Sequence, residues 1–254
     1  MPASAQDKPF EPVVGQAGKD VVWVPTPEQV VEKMLDVAKI TPQDYVIDLG
    51  SGDGRNVIGA AKRGAQALGV EYNPDMVALS RRRAMEAGVA DKATFVQGDM
   101  YEADISKATV MALFLLPENM NRLLPKFLAL KPGSRIVSNT FSAEGWEADY
   151  QEVVPNCTSW CTVLLWIVPA NAAGTWQLPQ GTLTLEQQFQ HVTGTLGSTP
   201  ITEGKLRGEE ITFTAGGAQY TGRINGDTLQ GSMVSGGRTT EWRATRTSAR
   251  AANR

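Results

Sequence analysis

The stretch Tyr45-Val46-Ile47-Asp48-Leu49-Gly50-Ser51-Gly52-Asp53-Gly54-Arg55 places three glycines at alternate positions, directly after a short apolar run that contains one acid. The apolar run is typical of a buried strand, and a helical pattern begins soon after Gly54. Glycine lets the backbone turn sharply and approach a ligand where a Cβ atom would clash. The stretch therefore predicts a strand, a ligand-binding turn and a helix in immediate succession.

Strand and helix patterns alternate over most of the following hundred or so residues. Short apolar strands separated by helices predict a parallel sheet, and the short loop between the last two strands predicts an antiparallel hairpin. The fold class is therefore α/β, with a Rossmann-like sheet of about seven strands. A first helix is predicted with Thr26 as its N-cap and Pro27 at its first position. The strand candidates are Tyr45–Leu49, Ala67–Glu71, Ala93–Gln97, Thr109–Phe114, Arg135–Thr140, Gln151–Val154 and Thr162–Val168, and the later helices are Val57–Arg63, Pro74–Ala87 and Glu118–Leu128.

The pattern changes near Gly174. From Trp176 to Thr245 there is no helical periodicity, and Thr, Gly and alternating apolar residues predominate. Such a pattern predicts a small all-β domain, an antiparallel meander or a barrel. We expect an irregular arm at 1–20, an α/β domain at 21–173, a β domain at 174–245 and a mobile tail at 246–254.

Two more acids follow strands of the predicted sheet. Glu71 ends the second strand and Asp99 follows the third, at the sheet edge where ligands of such folds bind. Glu71 could accept hydrogen bonds from ribose hydroxyls, and Asp99 from an adenine amino group. The glycine spacing differs from the G-x-G-x-x-G of nicotinamide-binding loops, and Asp48 and Asp53 would repel a pyrophosphate. The acids suit a nucleoside with cationic groups; a NAD site and a turn without a ligand are the alternatives.

These features resemble motif I, the ribose-binding acid and the adenine-binding acid of the class I S-adenosylmethionine-dependent methyltransferases, over about residues 20–170. The resemblance implies a methyltransferase whose seven-stranded sheet ends in an antiparallel strand. It also implies S-adenosyl-L-methionine as the methyl donor and S-adenosyl-L-homocysteine as the product. The residues expected to bind this cofactor are Asp48, Gly50, Ser51, Gly52, Gly54, Glu71, Tyr72, Asp99, Met100 and Leu116.

Four segments resemble a narrower branch, the lysine methyltransferases that modify the ATP synthase c subunit. They are Trp23-Val24-Pro25-Thr26, the glycine-rich loop, Phe114-Leu115-Leu116-Pro117, and Leu130–Ser138 leading into the fifth strand. The acceptor is then a small molecule or a protein side chain such as lysine. An alternative is a non-catalytic S-adenosylmethionine sensor whose β domain is an interaction module.

Catalytic residues are hard to assign, because in-line methyl transfer depends mainly on positioning and on exclusion of water. The candidates are Glu118, as a base or a partner for an ammonium group, and Trp23 and Thr26, which could cover the methionine end of the cofactor.

The composition bears on partners. With 24 Lys and Arg against 27 Asp and Glu, the formal net charge is -3, which argues against a nucleic-acid substrate. No apolar run reaches the ~20 residues of a membrane span. A single histidine and two cysteines do not predict a metal site. Exposed strand edges in the β domain predict a homodimer formed through that domain.

Cys157 and Cys161 are expected to be two partly buried thiols beside a strand, the alternative being a disulfide across a short turn. The cofactor supply favours the cytoplasm. Ala3-Ser4-Ala5 is a small-x-small pattern of the kind cut by a signal peptidase, and leaves an exported form open.

Overall fold

The computed structural model describes residues 10–179 and 181–249. The chain divides into two compact units, which are described separately below. The first unit contains the residues through Leu124 together with Arg135–Trp166, and the second contains Pro125–Ser134 and the chain from Ile167 onward.

The first unit is built on a seven-stranded sheet with the strand order β3-β2-β1-β4-β5-β7-β6. Strands β1 to β5 pair in parallel, and β6 and β7 form an antiparallel hairpin. The predicted α/β fold is confirmed. The strands are β1 (Tyr45–Leu49), β2 (Gln66–Glu71), β3 (Ala93–Gln97), β4 (Val110–Leu113), β5 (Arg135–Asn139), β6 (Tyr150–Val153) and β7 (Thr162–Ile167), and the helices are α1 (Glu28–Val37), α2 (Arg55–Lys62), α3 (Pro74–Glu86) and α4 (Pro117–Leu128). The last turn of α4, from Pro125, and the last residue of β7, Ile167, are counted with the second unit.

Helix α1 begins one residue later than predicted. Its N-cap is Pro27, whose extended backbone angles (φ -55°, ψ 139°) keep it outside the helix. The Pro27 carbonyl accepts the first helical hydrogen bonds, from the backbone N–H groups of Val30 and Val31. Thr26 is therefore not the cap, and it is a buried residue before the helix.

The core of the first unit forms between the sheet and its helices because the strands are apolar along their length. Strand β4 is buried at every position. Helix α1 contributes a stripe of apolar residues at helical spacing to the same cluster, consisting of Val30, Val31, Met34 and Leu35.

The second unit contains a closed antiparallel barrel of eight strands. Alternate residues point inward, and their side chains fill the interior. The strands are β8 (Gly174–Leu178), β9 (Gly181–Gln188), β10 (His191–Leu196), β11 (Thr199–Arg207), β12 (Glu210–Ala215), β13 (Ala218–Asn225), β14 (Thr228–Ser235) and β15 (Arg238–Ala249).

Closure of the barrel corrects two expectations. Strand β15 pairs with β8 as far as Ala249, so residues 246–249 belong to the barrel and not to a mobile tail. The rest of the predicted tail lies outside the described residues. Because a closed barrel has no open strand edge, the edge-pairing argument for a homodimer no longer holds for the described strands.

Cys157 and Cys161 form a disulfide in the loop between β6 and β7, so the prediction of two thiols is wrong. The loop brings the two Cα atoms to 5.7 Å, a separation that a disulfide can span. No helix among the described residues is long and apolar enough to cross a membrane.

Candidate active site

The glycine-rich turn has the backbone conformation that its sequence predicts. Gly50, Gly52 and Gly54 all have positive φ angles, of 71°, 54° and 82°, where glycine is favoured. A Cβ atom on Gly54 would lie 2.7 Å from the Phe95 ring, and one on Gly52 would lie 2.7 Å from Trp23 Nε1. The turn therefore requires glycine for its φ angles and for its close contacts.

Glu71 holds this turn from the end of β2. Its Oε2 accepts a hydrogen bond from the Gly52 N–H at 2.9 Å, and its Oε1 accepts one from the Asn73 N–H at 2.9 Å. On the other side, Ser80 Oγ of α3 donates to the Gly52 carbonyl at 2.8 Å. Ser80 is fully buried, and its role was not predicted, because nothing local distinguishes it from other helical serines.

A cavity opens at the carboxyl edge of the strands, beside the turn. Its wall contains five of the residues predicted to bind the cofactor. It also contains a continuous stretch of the N-terminal arm, Gln16–Val24, and the apolar side chains of Val70, Met76 and Phe114. The predicted residues that line the cavity are Gly50, Glu71, Tyr72, Asp99 and Met100.

The other predicted cofactor residues do not line this cavity. Ser51, Gly52 and Gly54 belong to the turn itself, and Leu116 is 44% exposed after β4. Asp48 lies behind the turn, 3% exposed, with its Oδ2 accepting from Asn56 Nδ2 at 3.1 Å. Burial raises the pKa of the Asp48 carboxyl well above its ordinary value.

Asp53 does not present a free negative charge beside the turn, contrary to the expectation from sequence. Its buried carboxylate accepts hydrogen bonds from Arg55, at 2.6 and 2.9 Å, and from Arg83 of α3. Burial by itself would raise the Asp53 pKa, but these two guanidinium groups outweigh it and hold the pKa below its ordinary value. Asp53 is thus a structural ion-pair residue that ties the turn to α3.

Asp99 contacts the N-terminal arm. Its Oδ2 accepts a hydrogen bond from Lys19 Nζ at 2.5 Å, and the same ammonium group lies 5.2 Å from the centre of the Tyr72 ring. No role was predicted for this part of the arm, because its polar, irregular sequence shows no pattern that points toward a cavity on the sheet.

The three catalytic candidates are not brought together. Trp23 lines the cavity. Thr26 is buried next to α1, and its carbonyl accepts from Arg55 at 2.6 Å. Glu118 is exposed in the first turn of α4 and does not line the cavity. No group of three or more His, Cys, Asp or Glu residues within the described chain could hold a metal ion.

The cavity wall presents the hydrogen-bond acceptors and apolar surface that a nucleoside needs. Two carboxylates, Glu71 and Asp99, lie at the ends of neighbouring strands β2 and β3 and can accept hydrogen bonds from hydroxyl or amino groups. Val70 and Met76 supply apolar surface for a base. The bare backbone at Gly50 allows a ligand to approach closely.

Comparisons with known proteins agree with this geometry. Residues 48–150 match the family model of the ANTKMT methyltransferase domain. A protein-lysine N-methyltransferase of Saccharolobus islandicus (strain REY15A) is 45% identical over 129 residues, which is 50% of this chain and 80% of that protein. The Mus musculus lysine N-methyltransferase named for the ATP synthase c subunit is 35% identical over 129 residues, 50% of this chain and 52% of that protein. The chain thus spans about half the length of the mouse protein.

A solved structure is similar over the same part of the chain. It is the crystal structure of an RNA methyltransferase from Salinibacter ruber in complex with S-adenosyl-L-homocysteine. It is 44% identical, with a TM-score of 0.54, and the match covers 57% of this chain and 94% of that chain.

Proposed function

Because the chain belongs to the class I S-adenosylmethionine-dependent methyltransferases, we propose that it transfers a methyl group to the side-chain amine of a lysine in a protein. The choice of lysine as the acceptor is supported by the 45% identity to the Saccharolobus islandicus lysine methyltransferase over 80% of that enzyme. A non-catalytic sensor is not favoured, because the relatives described above are named as methyltransferases.

Five cavity residues are proposed to hold the cofactor. Glu71 would accept hydrogen bonds from the ribose hydroxyls and Asp99 from the adenine amino group, while Gly50, Tyr72 and Met100 would surround the nucleoside. S-adenosylmethionine supplies a methyl group bonded to a positively charged sulfur. Glu71 also holds the Gly52 N–H, so the residue proposed to bind ribose keeps the glycine turn in its ligand-accepting conformation.

The acceptor amine must reach the methyl carbon in its neutral form. Its nitrogen lone pair would form the new N–C bond to the methyl group that bound S-adenosylmethionine supplies, with the C–S electron pair left on sulfur, and the nitrogen would then release a proton. An ordinary lysine has a pKa of about 10.4, so the amine must lose a proton before attack. Glu118, which is exposed at the start of α4 and does not line the cavity, is proposed to receive that proton through water.

RNA is the second candidate acceptor, because the Salinibacter ruber structure is described as an RNA methyltransferase. The run Arg81-Arg82-Arg83 does not support it. Arg81 donates to the Phe95 carbonyl at 2.6 Å, and Arg83 pairs with Asp53. Arg82 lies near Glu86. The run of three arginines is therefore engaged within the protein, and phosphate binding would require those contacts to be exchanged.

Incubation of the purified chain with methyl-labelled S-adenosylmethionine and a desalted bacterial lysate tests the proposal. We expect label in macromolecules that are sensitive to protease and resistant to ribonuclease. Glu71→Ala should abolish the labelling. Label that ribonuclease removes would favour RNA, and label confined to small molecules would exclude both macromolecular acceptors.

A further inference from the structure

Three aromatic side chains meet at the carboxyl edge of the sheet. Phe114 follows β4, Phe141 follows β5, and Trp160 precedes β7. These strands are neighbours in the order β4-β5-β7. The Thr140 N–H donates to the Thr162 carbonyl at 2.6 Å, which places the start of β7 beside the end of β5. Residues distant in sequence therefore come together at one edge.

The three rings contact one another. Phe114 and Phe141 are stacked, with centroids 5.9 Å apart and planes at 11°. Trp160 is tilted against both, with its centroid 5.9 Å from Phe114 and 5.4 Å from Phe141. The spacing leaves no slot between the rings, so a ligand can contact only their outer faces. We call this group of Phe114, Phe141 and Trp160 the aromatic wall.

The aromatic wall connects the cavity with solvent. Phe114 is part of the cavity lining, together with Glu71 and Asp99. At the other end Trp160 is 41% exposed, so part of its ring faces solvent. An acceptor that approaches from solvent along these rings reaches the cavity proposed to bind the cofactor.

The backbone holds Trp160 in an unfavourable conformation. Its φ of 56° is rare for a bulky residue. The disulfide between Cys157 and Cys161 closes the loop around it. Phe141, which contacts Trp160, is also held in place, because Ser138 Oγ donates to the Phe141 carbonyl at 2.9 Å. Residues held in strained backbone conformations cluster at functional sites.

We propose that the aromatic wall receives the acceptor lysine as it enters from solvent: the ammonium or methylammonium group first contacts the exposed face of Trp160, and the side chain then extends along the rings until the amine passes Phe114 into the cavity. The inference rests on the proposed function. Aromatic faces attract alkylammonium groups through the ring quadrupole, and Trp does so most strongly. A flat base would gain most from a slot between two rings, which the spacing does not provide. Trp160 is thus a specificity-determining residue, and the disulfide is its positioning element.

Binding of small probes tests the proposal without turnover. The full chain, saturated with S-adenosylhomocysteine, is titrated with N-acetyl-lysine methylamide trimethylated at Nε. It is also titrated with the uncharged isostere in which carbon replaces the quaternary nitrogen. We expect the wild type to prefer the cation about two- to fivefold. Trp160→Leu should lose this preference and Trp160→Phe should keep part of it.

Tyr150→Leu is the matched control, because Tyr150 is 42% exposed on β6, outside the aromatic wall. It should keep the wild-type preference. Reduction of the disulfide should lower the preference toward that of Trp160→Leu. An unchanged affinity for S-adenosylhomocysteine in every variant shows that the fold is intact.

Two results would overturn the proposal. One is a wild type without preference for the cation, or a preference that persists in Trp160→Leu. The other is that the wild type binds uridine more tightly than the trimethyl-lysine probe and that Trp160→Leu loses this uridine binding. The aromatic wall would then be a surface for a base. Failure of the proposed function can be distinguished from failure of the aromatic-wall proposal. If lysine in proteins is labelled and Trp160→Leu leaves the KM for the acceptor unchanged, only the aromatic wall is wrong.

Discussion

The Oε2 atom of Glu71 accepts a hydrogen bond from the backbone N–H of Gly52 at 2.9 Å, and so links the end of β2 to the turn that follows β1. The parallel pairing of β1 with β2 sets these two residues at the same sheet edge. The residue proposed to bind ribose is therefore also a structural support of the glycine turn.

Glu71→Ala removes both functions at once. We expect at least a tenfold loss of S-adenosylmethionine affinity, because the ribose contacts and the turn are lost together. We also expect a loss of about 1–3 kcal/mol in the free energy of unfolding, since the Gly52 N–H is left without its partner. Calorimetric titration and urea unfolding measure the two effects. Glu210→Ala, on the barrel, should change neither, and wild-type affinity in Glu71→Ala would contradict the assignment.

Gly52→Ala tests whether the turn needs a bare backbone. The new Cβ would lie 2.7 Å from Trp23 Nε1 at a φ of 54°. We expect a loss of stability of about 2–3 kcal/mol, from left-handed strain and the clash together, and weaker cofactor binding. Gly88→Ala is the control, because Gly88 has a φ of 68° and nothing within 4 Å. It should show only the backbone cost and leave binding unchanged. Equal effects of the two substitutions on binding would contradict the prediction.

The Lys19 ammonium group is hydrogen-bonded to Asp99, the carboxylate that we propose binds the adenine amino group. Its pair with Asp99 is partly exposed, and such pairs contribute little to stability. We therefore expect Lys19→Ala to leave the free energy of unfolding nearly unchanged and to tighten cofactor binding about two- to fivefold, because Asp99 is released. Weaker binding in Lys19→Ala would instead show that the arm holds the cofactor through this lysine. Lys92→Ala, on a lysine outside the cavity lining, serves as the control.

The ion pairs of Asp53 predict a dependence of stability on pH. Arg55 and Arg83 hold the Asp53 pKa below its ordinary value of 3.8. The carboxylate therefore stabilises the fold above that value, and the contribution is lost as the pH falls through the lower pKa of the folded protein. At pH 7 we expect Asp53→Asn to cost about 1.5–3 kcal/mol. The difference from wild type should shrink by pH 3. Urea unfolding at both pH values measures it, with exposed Asp91→Asn as the control. A difference that does not change with pH would contradict the ion-pair account.

The sheet could be predicted from sequence because its signals are local. Tyr45–Leu49 and Ala93–Gln97 have the predicted bounds, since each is a short run between turn residues. Glu71 and Asp99 could be placed near one another because parallel strands bring their carboxyl ends to one edge. The cavity does contain both residues.

Other features depend on contacts between distant residues. Asp53 is adjacent to the glycines in sequence, but its partner Arg83 comes from α3, thirty residues later, and no local pattern pairs them. Closure of the barrel depends on the register of β15 against β8, which alternation alone does not specify. The disulfide depends on the shape of the loop that contains Trp160.

The chemical identity of the labelled residue tests the central claim most directly. The protein fraction labelled by the wild-type chain is hydrolysed in acid, and the amino acids are separated against standards of mono-, di- and trimethylated lysine. The account predicts that the label elutes with methylated lysine, and that Glu71→Ala gives none. Label that elutes with methylated nucleosides from a parallel nuclease digest, with none in methylated lysine, would contradict the account.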